Sequence, residues 1–202
     1  MAFVVLAGDT PDQDASARKV VSFYTDNDTT QSIAAFGVAL STVPLLLFAA
    51  TLRERARAAL PDGSLLPGFA FAAGVVTAGG FLAAAAIHFA LADLADEIRP
   101  AAAQALNAID GAMFIPFAVG VATLVLATSL TALRSALLPS WLGWVGVPLF
   151  VVCWTPIAFF AFALSGIWIL TASIVLYRRG RPVRSELGQM ASARPAQASM
   201  PS

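Results

Sequence analysis

Residues 137–177 read LLPSWLGWVGVPLFVVCWTPIAFFAFALSGIWILTASIVLY and hold no charged side chain. As one α-helix the stretch would measure ~60 Å at about 1.5 Å per residue, about twice the ~30 Å hydrocarbon core of a bilayer. Two helices fit better, turning at Trp154-Thr155-Pro156. Proline removes a backbone donor and disfavours helix in the residue before it. The first of the pair, about 139–153, is short, ~22 Å by the same rise. It crosses only if the bilayer thins locally or its ends sit in the interface.

The arginines support the division independently. Arg53, Arg55 and Arg57 follow the first long apolar run, Arg134 follows the third, and Arg178, Arg179, Arg181 and Arg184 follow the last. Cytoplasmic loops of membrane proteins carry the excess of Lys and Arg. If the RERAR loop is cytoplasmic, two helices within 137–177 keep the C-terminal arginines on the same side, whereas one helix would export them. The expected fold is therefore all-α, a polytopic transmembrane bundle of five spans at about 32–52, 67–92, 109–133, 139–153 and 156–177. Residues 1–31 are expected to be a polar external segment, residues 32–179 the bundle and residues 180–202 a disordered cytoplasmic tail, in the plasma membrane of a bacterium.

Composition agrees with lipid as the solvent. The chain is 58% hydrophobic and 12% charged, against about a quarter charged in soluble domains. Net charge is zero, so bulk attraction to nucleic acid is not expected. The expected partner is the lipid bilayer, with other membrane proteins or self-association beside it. Cys153 is the only cysteine, which excludes an intrachain disulfide and a four-cysteine metal site. His88 is the only histidine, which excludes bis-His haem ligation by one chain. No cofactor is expected.

Within the N-terminal segment, Ala15 to Tyr24 has the pattern of a short interfacial helix using Val20, Val21 and Phe23. FYTDNDTT (residues 23–30) reads as a solvated loop capping the first span, since Asp, Asn and Thr are favoured N-caps. The second span is rich in small residues, and Gly74, Gly79 and Gly80 should let neighbouring helices approach closely. Pro100 suits the first turn of a helix that begins outside the bilayer and leads into the third span. Trp141, Trp144 and Tyr177 mark the inner interface, and Trp154 the outer one. Trp168 falls near mid-span, where its indole N–H should find a partner. Cys153 should lie near the outer interface, within reach of an external maleimide.

The stretches GDTPDQDAS, FYTDNDTT, LPSWLGWVG and GIWILTASIVLYRR resemble a widespread class of bacterial six-helix integral membrane proteins of unknown function. The resemblance covers most of residues 3–179. In that class the Gly-Asp-Thr-Pro segment follows a first transmembrane helix, of which only AFVVLA stands here. The resemblance implies a missing upstream helix and no activity for any residue.

The candidate polar site is His88, Asp93, Asp96, Glu97 and Asp110, gathered at the outer ends of the second and third spans. Ionisable residues inside a membrane are costly and usually functional, so one reading is a proton- or cation-binding site. The bland reading, that all five sit at headgroup depth in water, is preferred. Asp110 is expected to cap or bend its helix, where its charge suits the N-terminal dipole. A single His with carboxylates fits no specific metal rule.

Phosphate loop, nucleophile elbow, zinc-protease and dinucleotide motifs are absent from the sequence. The leading expectation is a non-enzymatic membrane protein acting as a structural or partner subunit. The alternative is a small transporter or channel subunit using His88 and Asp110. An intramembrane enzyme acting on lipid ranks last.

Overall fold

A computed structural model of the chain describes residues 10–155 and 158–179. Among the described residues seven helices follow in order: α1 (Ala17–Asp26), α2 (Asp28–Ala59), α3 (Leu66–Leu94), α4 (Pro100–Ala112), α5 (Phe114–Arg134), α6 (Ser140–Val152) and α7 (Ala158–Arg179). Among the described residues there is no strand. Four segments are long and apolar enough to cross a membrane: Asp28–Ala59, Leu66–Leu94, Pro100–Arg134 and Phe160–Arg179. The fifth, α6, has 13 residues and is ~20 Å long, the short helix expected from 139–153.

Several boundaries move. The first span begins at Asp28 rather than near residue 32, because FYTDNDTT is not a loop. Asn27 alone separates α1 from α2, and its side-chain amide donates to Phe23 O at 2.8 Å, closing the end of α1. The Asp28 carboxylate accepts from Thr29, both backbone N–H and hydroxyl, at the start of α2. The third span is continuous from Pro100, with a break at Met113. Pro116 explains the break: it has no N–H for the carbonyl of Ala112, and its ring crowds that oxygen. The turn after α6 holds Cys153, Trp154 and Thr155, whereas Pro156 and the tail 180–202 lie outside the described residues.

The arginines gather at one end of the bundle. Arg55 donates through Nη1 to the carbonyl of Leu176. Arg179 Nη1 donates to Ala136 O at 2.8 Å and Leu137 O at 3.3 Å. Ala56, Leu60 and Leu66 pack there with Leu130 and Leu137. The ends of α2, α5 and α7 and the starts of α3 and α6 thus share one end, as an even number of crossings after α2 requires. These side chains do more than mark a side, because they satisfy loop and helix-end carbonyls that have no partner within their own helix.

Helix α3 is central, packed between α2 and α5, with α6 and α7 beside α5. The main core joins Phe48, Leu52, Ala70, Leu124, Val125, Leu142, Trp168 and Leu176. At two positions of the α3–α5 contact only glycine fits. A Cβ on Gly80 would lie 2.7 Å from the backbone N of Phe117, and one on Gly120 would lie 2.6 Å from that of Thr77. Helices α3 and α5 therefore meet backbone to backbone, where dispersion replaces the hydrophobic effect as the driving force in lipid. Gly74 faces Ala49 in the same way, but Gly79 faces open space, contrary to its expected role. The indole of Trp168 donates to Leu142 O at 3.1 Å. Cys153 is buried among Ala122 and Ala161, with its sulfur 3.7 Å from Ser165 Oγ, so it is not open to an external reagent.

A second, smaller core sits at the end opposite the arginines. Val20 and Tyr24 of α1 pack with Leu91, Ala92, Ala95 and Ala103 from the end of α3 and from α4. The amphipathic helix expected here forms, but it buries its apolar face on protein rather than lying in a lipid interface. Its buried face is Val20 and Tyr24, one turn apart.

Candidate functional site

The site lies under that small core. Along α2, Gln31 and Leu52 are separated by ~32 Å of helix, so Gln31 stands one hydrocarbon thickness from the arginine end. His88 stands at a similar depth on α3, and Asp110 near the end of α4. The Nδ1 atom of His88 is 2.9 Å from Oδ2 of Asp110, and Nε2 is 2.8 Å from Oε1 of Gln31. His88 is 2% exposed and the Asp110 side chain 19%. Three helices thus converge on one imidazole.

The roof of the site is Tyr24, which is 0% exposed. Its ring meets that of His88 edge-on, with centroids 5.6 Å apart. Its hydroxyl is buried without a hydrogen-bond partner. Burial first, and the nearby Asp110 carboxylate second, push the phenol well above its ordinary value of 10.0, so Tyr24 stays neutral across the physiological range.

Helix α4 fastens the chain in front of α1. Asn107, one turn before Asp110, donates from Nδ2 to Asp12 O at 2.9 Å, and Gln104 donates from Nε2 to Ala15 O at 2.9 Å. The spacing Ala103, Asn107, Asp110 puts all three on one helical face, the face turned toward α1 and α3. Gly111 lies against the side chain of Gln13, which draws the same strap down on α4.

Of the five residues expected to form the site, the structure brings His88 and Asp110 together. Asp93, Asp96 and Glu97 are exposed on the last turn of α3 and the following loop. Asp110 is not an N-terminal cap: it lies more than two turns into α4 and is bound by His88. The imidazole is neither at a lipid surface nor in bulk water, because α1 covers it. Sequence reasoning missed Gln31 and the burial of Tyr24. The signals were present: Gln31, Ala34, Ala35 and Thr42 share one helical face of α2, and Val20 and Tyr24 are spaced i, i+4.

The chemistry of the cluster follows from its proton count. A carboxylate only accepts, so the ring nitrogen facing Asp110 donates to it. A neutral ring donates from one. The Gln31 amide meets the other nitrogen through its oxygen, or through its NH2 when the amide is turned over.

Elsewhere the buried hydroxyls look after themselves. Thr77, Thr128, Ser129, Thr131 and Ser165 each donate to a carbonyl four residues back in their own helix. Among the described residues, the buried side-chain polar atoms without a partner are Tyr24 Oη and Arg53 Nε, one at each end of the bundle.

These features define a membrane-spanning helical bundle with, among the described residues, a buried ionisable cluster beneath an N-terminal cap. No protein-family model matches the chain, and comparison with curated proteins and with solved structures finds no match either.

Proposed function

We propose that the protein is a non-enzymatic integral membrane protein that serves as a structural or partner subunit. The observation that carries this reading is the closed middle of the bundle. Helices α3 and α5 touch through backbone at Gly80 and Gly120, and the hydroxyls there are spent on their own helices. A solute leaving the His88 cluster would meet hydroxyls that already donate within their own helices. The grouping of the arginines at one end supports an external N-terminus and a cytoplasmic C-terminus in a bacterial plasma membrane. The resemblance to six-helix bacterial membrane proteins supports the same placement. The nearest competing reading, a small transporter or channel subunit, draws on the buried His88–Asp110 pair, since intramembrane ionisable pairs often serve ion paths.

Reconstitution decides between them. The purified chain in proteoliposomes should pass protons and monovalent cations no faster than protein-free vesicles. A flux that disappears in His88→Ala or Asp110→Ala would overturn the subunit reading in favour of transport. A cysteine introduced at Asp12 should label from outside intact cells and one at Arg57 should not; the reverse pattern would invert the topology.

A further inference from the structure

We propose that the outer groove between α6 and α7 seats one acyl chain of an anionic phospholipid from the leaflet at the arginine end, with the lipid phosphate held at Arg178. This site depends on the membrane span alone and not on the subunit reading.

Helix α6 is fixed on its inner side, where a Cβ on Gly146 would run into Ser129 Oγ and the Trp168 indole. Trp168 of α7 is 5% exposed, and its indole donates to Leu142 O at 3.1 Å. That ring stands between the two helices and makes the floor of a groove along their outer side. The rims are Trp141, Val145 and Val152 on α6 and Leu164, Ile167 and Thr171 on α7. The groove holds about 410 Å³, within the ~300–1,000 Å³ of small-ligand pockets. The Thr171 hydroxyl donates to Ile167 O and the Trp168 indole is spent on Leu142, so the lining suits hydrocarbon. Trp141 to Val152 spans ~16 Å of helix, about half the ~30 Å hydrocarbon core and so the depth of one leaflet. A chain in the groove touches two helices where a chain on a convex surface touches one, and it gains dispersion contacts accordingly.

Charge selects the headgroup. Leu164, Thr171 and Arg178 recur every seventh residue, so Arg178 continues the α7 rim ~10 Å beyond Thr171 toward the arginine end. Arg178 is exposed. Arg179 ties the end of α7 to the turn before α6 through Ala136 O and Leu137 O, which sets the mouth of the groove beside Trp141. The Trp141 side chain is 52% exposed, as suits an indole at headgroup level. No Asp or Glu occurs from residue 111 to residue 185, so no acid of α5, α6 or α7 neutralises Arg178. Glu54 and Asp62, the acids near this end, belong to α2 and the turn after it, and Glu54 faces Arg57 at 3.5 Å. A guanidinium at this depth attracts anionic lipid and binds phosphate oxygens through charge-assisted hydrogen bonds. An apolar furrow one leaflet deep below a guanidinium matches both halves of a phospholipid, whereas a soluble anion would use only the upper half.

The test is native mass spectrometry of the full chain, released from micelles holding equal amounts of phosphatidylglycerol and phosphatidylcholine with the same acyl chains. One phosphatidylglycerol per chain should be retained, at roughly fivefold over phosphatidylcholine, the preference given by one basic residue near the headgroups. Arg178→Gln should bring the two lipids toward equal retention. Thr171→Trp fills the groove, leaves the arginines in place and should remove the retained lipid. Val145→Trp should do the same from the other rim, so either variant suffices if one does not fold. Equal retention of the two lipids by wild type would overturn the site, as would no retained lipid or a preference unchanged in Arg178→Gln. Retention unchanged in the groove-filling variants would put the lipid elsewhere on the surface and overturn it too. A species of twice the chain mass that those variants dissociate would make a second copy the occupant in place of lipid.

Discussion

The middle of α3 and its C-terminal end are built on opposite rules. In its middle, Thr77 and Gly80 press against the backbone of α5, and no side chain reaches across to make a polar bond. Near its end, His88 bonds to two other helices, and the neighbouring strap is tied by Asn107 and Gln104. The difference follows from the solvent. In hydrocarbon, lipid tails are as apolar as leucine, so association depends on how closely backbones approach. At the edge of the hydrocarbon, water competes, and polar contacts become both affordable and adjustable. The middle should therefore be sensitive to side-chain volume and indifferent to pH, and the cap the reverse.

The largest expected effect is on the middle. Gly120→Val puts atoms into the Thr77 backbone and should destabilise the bundle by about 3 kcal/mol, the upper range for overpacking. Gly80→Ala should cost about 1–3 kcal/mol for the same reason. Gly79→Ala, one residue away on the open face, should be neutral or stabilise by up to about 1 kcal/mol through helix propensity. Thermal unfolding in detergent measures the three; equal losses at Gly79 and Gly80 would contradict the packing assignment.

Next comes the cluster. Asp110→Ala leaves the imidazole without its acceptor and should cost about 1.5–3 kcal/mol, the range for hydrogen bonds to charged groups. The loss should be confined to α1 and α4 by hydrogen exchange, with α5 protection unchanged. Spread of the loss through α5 would mean that cap and middle are one cooperative unit. Asn107→Ala removes the donor shared by Pro11 O and Asp12 O and should cost about 1 kcal/mol in the same region.

The smallest effect concerns Tyr24. Its hydroxyl is buried without a partner, so Tyr24→Phe should be neutral or slightly stabilising at neutral pH. The sign changes with alkali. Because burial and Asp110 raise the phenol above its ordinary value of 10.0, the folded cap favours the neutral form. That contribution is full below about pH 10 and is lost as pH rises toward the folded value. Wild type should therefore lose cap protection above about pH 10, and Tyr24→Phe should lose less. Identical alkaline profiles for the two proteins would remove Tyr24 from the roof.

The architecture was legible in the sequence because its causes are local. A charge-free stretch twice the bilayer thickness must turn, and Pro156 with Trp154 says where. The arginines say which ends belong together, and Arg55 and Arg179 meet the α7 and α5–α6 ends as that grouping requires. The site was half legible. His88 and Asp110 stood out as rare ionisable residues near apolar spans. Their pairing was not, because it depends on α4 running helical from Pro100 and on α1 folding over them. Asp93, Asp96 and Glu97 looked equivalent by proximity in sequence, but they are exposed on the last turn of α3 and the turn that follows it. Gln31 and Tyr24 carry no charge, so only their spacing pointed inward. Gly79 and Gly80 differ by a rotation of about 100°, which composition cannot register.

Because His88 is the only histidine, a single pair of imidazole 15N signals reports the cluster directly. In lipid at about pH 5, the wild-type protein should show both ring nitrogens protonated and exchanging slowly with water, with a correlation from Nδ1–H to the Asp110 carboxyl. A single averaged signal in fast exchange with water, unaffected by Asp110→Asn, would mean that the imidazole is solvated and that the cap does not close over it.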